Sequence, residues 1–324
     1  MRILVYGAGV QGCELAHRLL QNKKNVVTML ARGEWKERLD QRGLVIRHWA
    51  QCRTTVDRVT TIDTLAPDDC YDLVFVAVQA GQLPDVLPIL KQNKSEYFVF
   101  VGNDPHAVEV MQAMQRPADK VAFGFQSSGG HRDVDKVVSA HVGVDMTVGG
   151  ATAPLSGVFR YRLKTAFEGA KYKLNFVSDM DAWLKCHIAL ILPVCYLCYA
   201  CKGDLSKATK EQRELVLDAA WEGCEMLKAA HIPVDDKENT DCYRAGTSGR
   251  RKMDAMLLAI CKTPLGRLCV SDHAMHAAAE MQYLDEAFEG LRAQTQTQMT
   301  AWDTLRGQMP SWDIIRKKTA KTRR

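Results

Sequence analysis

Short apolar runs alternate with amphipathic stretches through the first half of the chain. Residues 3–6 read as a strand, and 11–21 as a helix with Leu15, Ala16, Leu19 and Leu20 on one face. A polar turn at 22–25 leads to a second strand at 26–30. Residues 72–78 are almost continuously apolar and of strand length, as expected where both faces of a parallel sheet are covered. Runs at 97–101 and 121–125 continue the series. Strands alternating with helices predict an α/β fold with a doubly wound, Rossmann-type sheet.

The pattern then changes. Gly-rich, alternating segments at 141–150 and 155–161, and a short run at 172–177, predict extra strands that finish the first domain. Beyond Asp179 the periodicity is helical: one long apolar helix over 182–201, then helices at 210–230, 250–260 and 274–299. We therefore expect an N-terminal Rossmann domain over 1–177 and an all-helical C-terminal domain over 178–324, the latter for substrate binding or dimerisation.

Length and composition agree with two globular domains: 324 residues, 47% hydrophobic and 25% charged. No apolar run reaches the roughly 18 uncharged residues of a membrane helix, and 188–200 reads as a buried core helix. Met1-Arg2 runs straight into the first strand, which leaves no room for a secretion signal and leads us to expect a cytoplasmic protein. The eleven cysteines fit that compartment. Cys195, Cys198 and Cys201 lie in an apolar helical stretch without His partners, so we read them as buried thiols and expect no metal. The net charge of +5 is partly concentrated in Arg316-Lys317-Lys318 and the basic residues after them. We read that tail as a solvated, frayed terminus and not as a contact with nucleic acid or membrane.

Candidate chemistry begins with Gly7-Ala8-Gly9-Val10-Gln11-Gly12. This G-x-G-x-x-G closes a predicted strand and opens a predicted helix, the context that makes it a dinucleotide fingerprint. Gly7 would permit the tight turn, Gly9 a close approach of pyrophosphate, and Gly12 close packing of helix on sheet. The N–H groups at Val10 and Gln11, at the helix start, would face the phosphates. Twenty residues beyond Gly12 the second strand ends in Leu30-Ala31-Arg32. An arginine there can pair with a 2′-phosphate, so we expect NADP with Arg32 as its reader; Glu34 leaves NAD open. Gln79 and Asn103 follow later strands and should line the same crevice.

With these residues the chain resembles the ketopantoate reductases, the NADPH-dependent 2-dehydropantoate 2-reductases. Gly7, Gly9 and Gly12 match the family's glycines, Arg32 its 2′-phosphate arginine, and Asn103 an asparagine near nicotinamide and substrate. Asp181-Ala182-Trp183-Leu184-Lys185 resembles the entry to the helical domain, which makes Lys185 the family's substrate-site lysine. The resemblance implies hydride transfer to a small 2-oxo acid, with Lys185 donating a proton to the developing alkoxide or holding its charge.

The departures fall in the substrate half. Ala189 and Pro193 stand where the family has asparagines, and Gln79 where it has a lysine. Residues 270–276 replace its acidic substrate segment, so Asp272 either supplies the substrate-binding carboxylate or caps a helix. Lost hydrogen bonds of this kind cost roughly 1–3 kcal/mol each, so an altered, more apolar oxo acid is expected. His187 reads as a satisfied histidine, and His273 with His276 as too few ligands for a metal. The alternatives are a non-catalytic NAD(P)-binding sensor or regulator, and an opine-type dehydrogenase built on a His–carboxylate pair. The apolar helical domain also offers a face on which two copies could form a homodimer.

Overall fold

The computed structural model describes residues 1–322, the side chains at 141–144, 238 and 319–322 excepted. The chain divides into two compact units, Met1–Asp181 and a second that opens at Ala182.

The first unit is one ten-stranded sheet with helices. Its strands are β1 (Arg2–Tyr6), β2 (Val26–Leu30), β3 (Leu44–His48), β4 (Arg53–Asp57), β5 (Thr60–Ile62), β6 (Leu73–Val76), β7 (Phe98–Val101), β8 (Val121–Arg132), β9 (Val137–Gly149) and β10 (Leu174–Phe176). Its helices are α1 (Val10–Leu20), α2 (Gly33–Arg42), α3 (Leu83–Gln92), α4 (Ala107–Ala113) and α5 (Gly157–Ala166). Six strands run parallel in the order β5-β2-β1-β6-β7-β8, the doubly wound order of a Rossmann domain. The order reverses between β1 and β6, and the loop after β1 sits at that switch point. Ile3, Val5, Leu73, Phe75 and Val99 are completely buried, which is why these strands read as unbroken apolar runs.

A second set of strands extends the sheet. β9 runs antiparallel to β8, and its far edge carries β3 at one end (Ile46 opposite Val137) and β10 at the other (Leu174 opposite Met146). β3 and β4 form an antiparallel hairpin inserted between α2 and β5. Helix α1 packs against β8, β9 and β3 as well as β1 and β2. The expected strand at 155–161 is instead α5. Ser156 explains the difference: its hydroxyl accepts from the Phe159 N–H at 3.2 Å and starts a helix where alternation suggested a strand.

The second unit is helical throughout: α6 (Met180–Ala200), α7 (Lys210–Ala229), α8 (Asp241–Tyr243), α9 (Ser248–Lys262), α10 (Pro264–Gly266), α11 (Asp272–His276), α12 (Ala278–Thr295), α13 (Thr300–Gln308) and α14 (Trp312–Thr322). The α/β-then-helical architecture is the one expected. α6, with 21 residues, is long and apolar enough to cross a membrane by length and composition, but 72% of its apolar window is buried in the protein. It continues through Pro193. A Cβ on Gly223 of α7 would lie 3.0 Å from the Ala189 methyl, so small residues on both helices permit their close approach. The helix expected over 274–299 breaks at Ala277 (φ −113°, ψ 30°) and ends at Thr295.

The basic tail is not frayed over its described length. Asp285 is fully buried, and its carboxylate accepts from Tyr196 Oη (2.5 Å), Arg306 Nε and Nη2 (2.9 and 2.8 Å) and Trp312 Nε1 (2.7 Å). That carboxylate ties α6, α12, α13 and α14 together, and Ile315 is buried beside it on α14. Arg323 and Arg324 lie outside the described residues.

Candidate functional site

The loop after β1 shows why each glycine is needed. Gly7 has φ +117°, a conformation costly for any residue with a side chain, and a Cβ there would stand 2.5 Å from the Ala77 carbonyl oxygen. A Cβ on Gly12 would stand 1.9 Å from the Gly7 oxygen, so α1 sits directly on the turn. Gly9 is different: a Cβ there would meet nothing within 4 Å. Its bareness serves no internal packing and leaves open space at the start of α1. The first intrahelical bond runs from Cys13 N to Gly9 O at 2.9 Å, and no side chain caps the helix. The N–H groups of Val10, Gln11 and Gly12 therefore have no acceptor in the helix itself and add to the positive end of its dipole. Open space beside such donors is a cradle for an anionic group.

Gln11 is expected at the cofactor, but its side chain points the other way, into the sheet. Its Nε2 donates to Ser128 O at 2.6 Å, and its Oε1 accepts from Gln126 Nε2 at 3.0 Å and Ser128 Oγ at 3.2 Å. Gln126 Nε2 also donates to Gln11 O at 3.1 Å, and Tyr172 Oη donates to Gln126 Oε1 at 2.7 Å. Only the Gln11 backbone is placed for an anion. Gln126, Ser128 and Tyr172 escape sequence reasoning, because two isolated polar residues on β8 and a tyrosine just before β10 carry no motif.

Arg32 is exposed at the start of α2, beyond the end of β2. It lines a cavity of about 250 Å³ with Tyr6, Thr64, Leu65, Pro67, Ile89 and Gln92. Its guanidinium makes only long bonds, 3.4 Å to Asp63 O and 3.5 Å to Tyr6 Oη. Glu34 is 3.2 Å from Arg38 one turn on. Gln79 stands three residues past β6 and begins a short 3₁₀ turn, its N–H donating to Gln82 Oε1 at 3.2 Å. Asn103 is buried just past β7, after Gly102 (φ +153°), and Asp104 Oδ1 accepts from His106 N at 2.9 Å.

A buried ionisable group lies further along α1. His17 Nδ1 is 2.6 Å from Asp57 Oδ2 on β4, and Arg18 Nε donates to Glu14 Oε1 at 2.8 Å. His48 on β3 is 2.8 Å from Thr55 Oγ1 and 3.8 Å from Glu14 Oε2. These contacts fasten the β3–β4 hairpin to α1. Burial is the main cause that lowers His48 to about 4, with Glu14 opposing and His17 adding. In the second unit burial alone lowers His187 to about 4. Both rings are neutral when folded and must lose proton affinity relative to an unfolded histidine near ~6.5. Their stabilisation is therefore present above pH ~6.5 and lost as pH falls towards 4. We expect the thermal midpoint to drop steadily as pH falls below ~6.5; a calorimetric midpoint unchanged at pH ~5 would contradict this.

In the second unit, Lys185 is half-buried on the first part of α6. Ala189, one turn on, is fully buried against Gly223, and Pro193 is buried too. Trp183 and His187 stack with ring centroids 5.2 Å apart, and with Cys186, Leu190, Asn239 and Tyr243 they line a cavity of about 180 Å³. Asp272 has helical dihedrals (φ −64°, ψ −40°) and continues from a preceding π-turn, so it does not cap α12. His276 Nδ1 is 2.6 Å from Asp272 O, and His273 Nε2 is 4.0 Å from Glu280 Oε2. Among the described residues no group of His, Cys, Asp and Glu could hold a metal ion.

Residues 3–152 match the family described as ketopantoate reductase PanE/ApbA. The resemblance read from Gly7, Gly9, Gly12 and Arg32 therefore stands for that part of the chain. Among solved structures, 2-dehydropantoate 2-reductase from Geobacter metallireducens is similar with a TM-score of 0.74 and 16% identity, over 95% of this chain and 98% of that one. D-mandelate dehydrogenase with NADH and anilino(oxo)acetate matches at TM-score 0.74 and 14% identity over 99% of each chain. 2-Dehydropantoate 2-reductase from Methylococcus capsulatus follows at 0.69 and 15%, over 98% of each. At such identities these likenesses show a shared fold. No curated protein matches the chain by sequence.

Proposed function

We propose that this chain, a divergent relative of the ketopantoate reductases, is an NADP-dependent oxidoreductase that reduces a small 2-oxo acid. The observation that carries the reading is the contrast within the glycine loop. Gly7 and Gly12 are required by internal contacts, whereas Gly9 faces open space at a bare helix N-terminus. Such a surface suits a pyrophosphate and has no other evident use. The cavity beside Arg32 would take the adenosine end, with the guanidinium on the 2′-phosphate. Arg32, and not an acidic residue, follows the end of β2 by two positions, which favours NADP over NAD. Gln79 and Asn103, past the ends of β6 and β7, would border the nicotinamide end.

The bound cofactor would supply the hydride. The chain's own part is to stabilise the charge that grows on the reduced carbonyl oxygen, and Lys185 would hold that oxygen and deliver its proton. Asp272 is the candidate for binding the substrate's polar substituents. Ala189 and Pro193 are buried and offer no side-chain hydrogen bond, so the polar contacts that the family makes from those positions are missing. An oxo acid with a more apolar side chain than ketopantoate fits that loss, and the similar fold described with anilino(oxo)acetate is compatible with that class.

Separate fluorescence titrations with NADPH and NADH test the reading. NADPH should bind at least about tenfold tighter, a difference of ~1.4 kcal/mol, and Arg32→Ala should remove most of that preference. If neither nucleotide binds near micromolar concentration, the oxidoreductase reading fails. If NADPH binds but no 2-oxo acid is reduced, the loss of polar groups at 189 and 193 points to a nucleotide sensor.

A further inference from the structure

We infer that Gln126 is a positioning residue for the dinucleotide loop, oriented by Tyr172 and completed by Ser128. The inference rests on the cofactor reading above. Gln126 is 1% exposed on β8, where the pairing with β9 shifts register between Gln126 and Ser128. Irregularities of this kind re-aim side chains and cluster beside functional sites. Its amide has a defined direction. Tyr172 Oη donates to the carbonyl oxygen at 2.7 Å, which leaves Nε2 to face Gln11 O, Gln11 Oε1 and Ser128 Oγ at 3.1, 3.0 and 2.8 Å. Gln11 then passes the direction on, from its own Nε2 to Ser128 O at 2.6 Å. The Tyr172 ring is fixed in turn by stacking on Phe167, centroids 4.2 Å apart at 15°.

The relay therefore runs Tyr172 to Gln126 to Gln11, and its last member is the second residue of α1. Holding the Gln11 side chain and its carbonyl from below fixes the N–H groups of the first helical turn from above. Donors that must meet a phosphate gain from being ordered beforehand, because no ordering cost then falls on binding. Helix α1 has no side-chain cap to do this.

Two variants separate positioning from bulk stability. Gln126→Glu keeps the shape but removes the donors that face Gln11, placing a carboxylate against two oxygens. Tyr172→Phe removes only the hydroxyl that orients the amide. Hydrogen exchange of the backbone amides at 13–15, which bond back to the carbonyls of the first turn of α1, and titration with NADPH are read for each. We expect faster exchange confined to 13–15 in both variants. NADPH affinity should fall about tenfold in Gln126→Glu and a few-fold in Tyr172→Phe, as for a lost hydrogen bond. Unchanged exchange at 13–15, or an equal rise across the whole sheet unit, overturns the inference. Should the parent protein bind no nucleotide, the cofactor reading fails, and exchange at 13–15 alone decides this one.

Discussion

Gly9→Ala should leave the sheet unit folded and abolish nucleotide binding, while Gly12→Ala should unfold the unit itself. Both changes add one methyl group within four residues of each other. At Gly12 that methyl would lie 1.9 Å from a backbone oxygen that cannot move without displacing β1 or α1. The overlap belongs among the severe core defects, which exceed about 4 kcal/mol. At Gly9 the methyl projects into space and strains nothing, since its φ of −77° suits any residue. It occupies the volume where the backbone would approach a pyrophosphate, and we expect at least ~100-fold weaker NADPH binding, or ~2.7 kcal/mol. Thermal unfolding and nucleotide titration on the two variants check the pair. A Gly9→Ala protein with parental affinity would remove the central support for the cofactor assignment.

The second large effect is expected at Lys185. If its ammonium meets the carbonyl oxygen under reduction, Lys185→Ala should lower kcat by about 10²–10⁴, the usual worth of a positioned proton donor. NADPH affinity should be unchanged, because the residues proposed to hold the nucleotide all belong to the first unit. Steady-state kinetics with the best 2-oxo acid substrate, beside NADPH titration of the same variant, separates the two. A loss of NADPH binding equal to the loss of rate would mean that Lys185 acts through the fold and not on the reacting oxygen.

The sheet core and the glycine loop were legible in the sequence for a physical reason. Parallel strands buried on both faces are continuous apolar runs, and residues 72–78 and 97–101 are hard to read otherwise. The glycine spacing is legible because backbone collisions at Gly7 and Gly12 admit no other residue. The β3–β4 hairpin left little trace, since β4 (Arg-Thr-Thr-Val-Asp) is a mostly polar, mostly exposed edge strand and the apolar part of β3 is only three residues long. Residues 155–161 mislead because Ser156, which starts a helix, mimics the polar member of an alternating strand. The break at Ala277 has no composition signal at all. Around the candidate site, Arg32 follows from its place after β2, whereas Gln126 and Tyr172 matter through partners far away in the chain. Pattern reading sees neighbours along the chain and cannot see those.

The placement of β3 has a consequence for the order in which the protein is made. Its partner on the sheet side is β9, paired through Ile46 and Val137, so most of the parallel sheet is synthesised between the two. A hairpin emerging from the ribosome early must wait, with one edge of β3 unsatisfied, until β9 arrives. Unpaired edges of that sort invite association with other chains, and contacts so distant in sequence form slowly. Arg47 on that strand, and Arg53 and Asp57 on its hairpin mate, put charge along the waiting segment. Charges placed there keep a nascent strand in water until its proper neighbour exists.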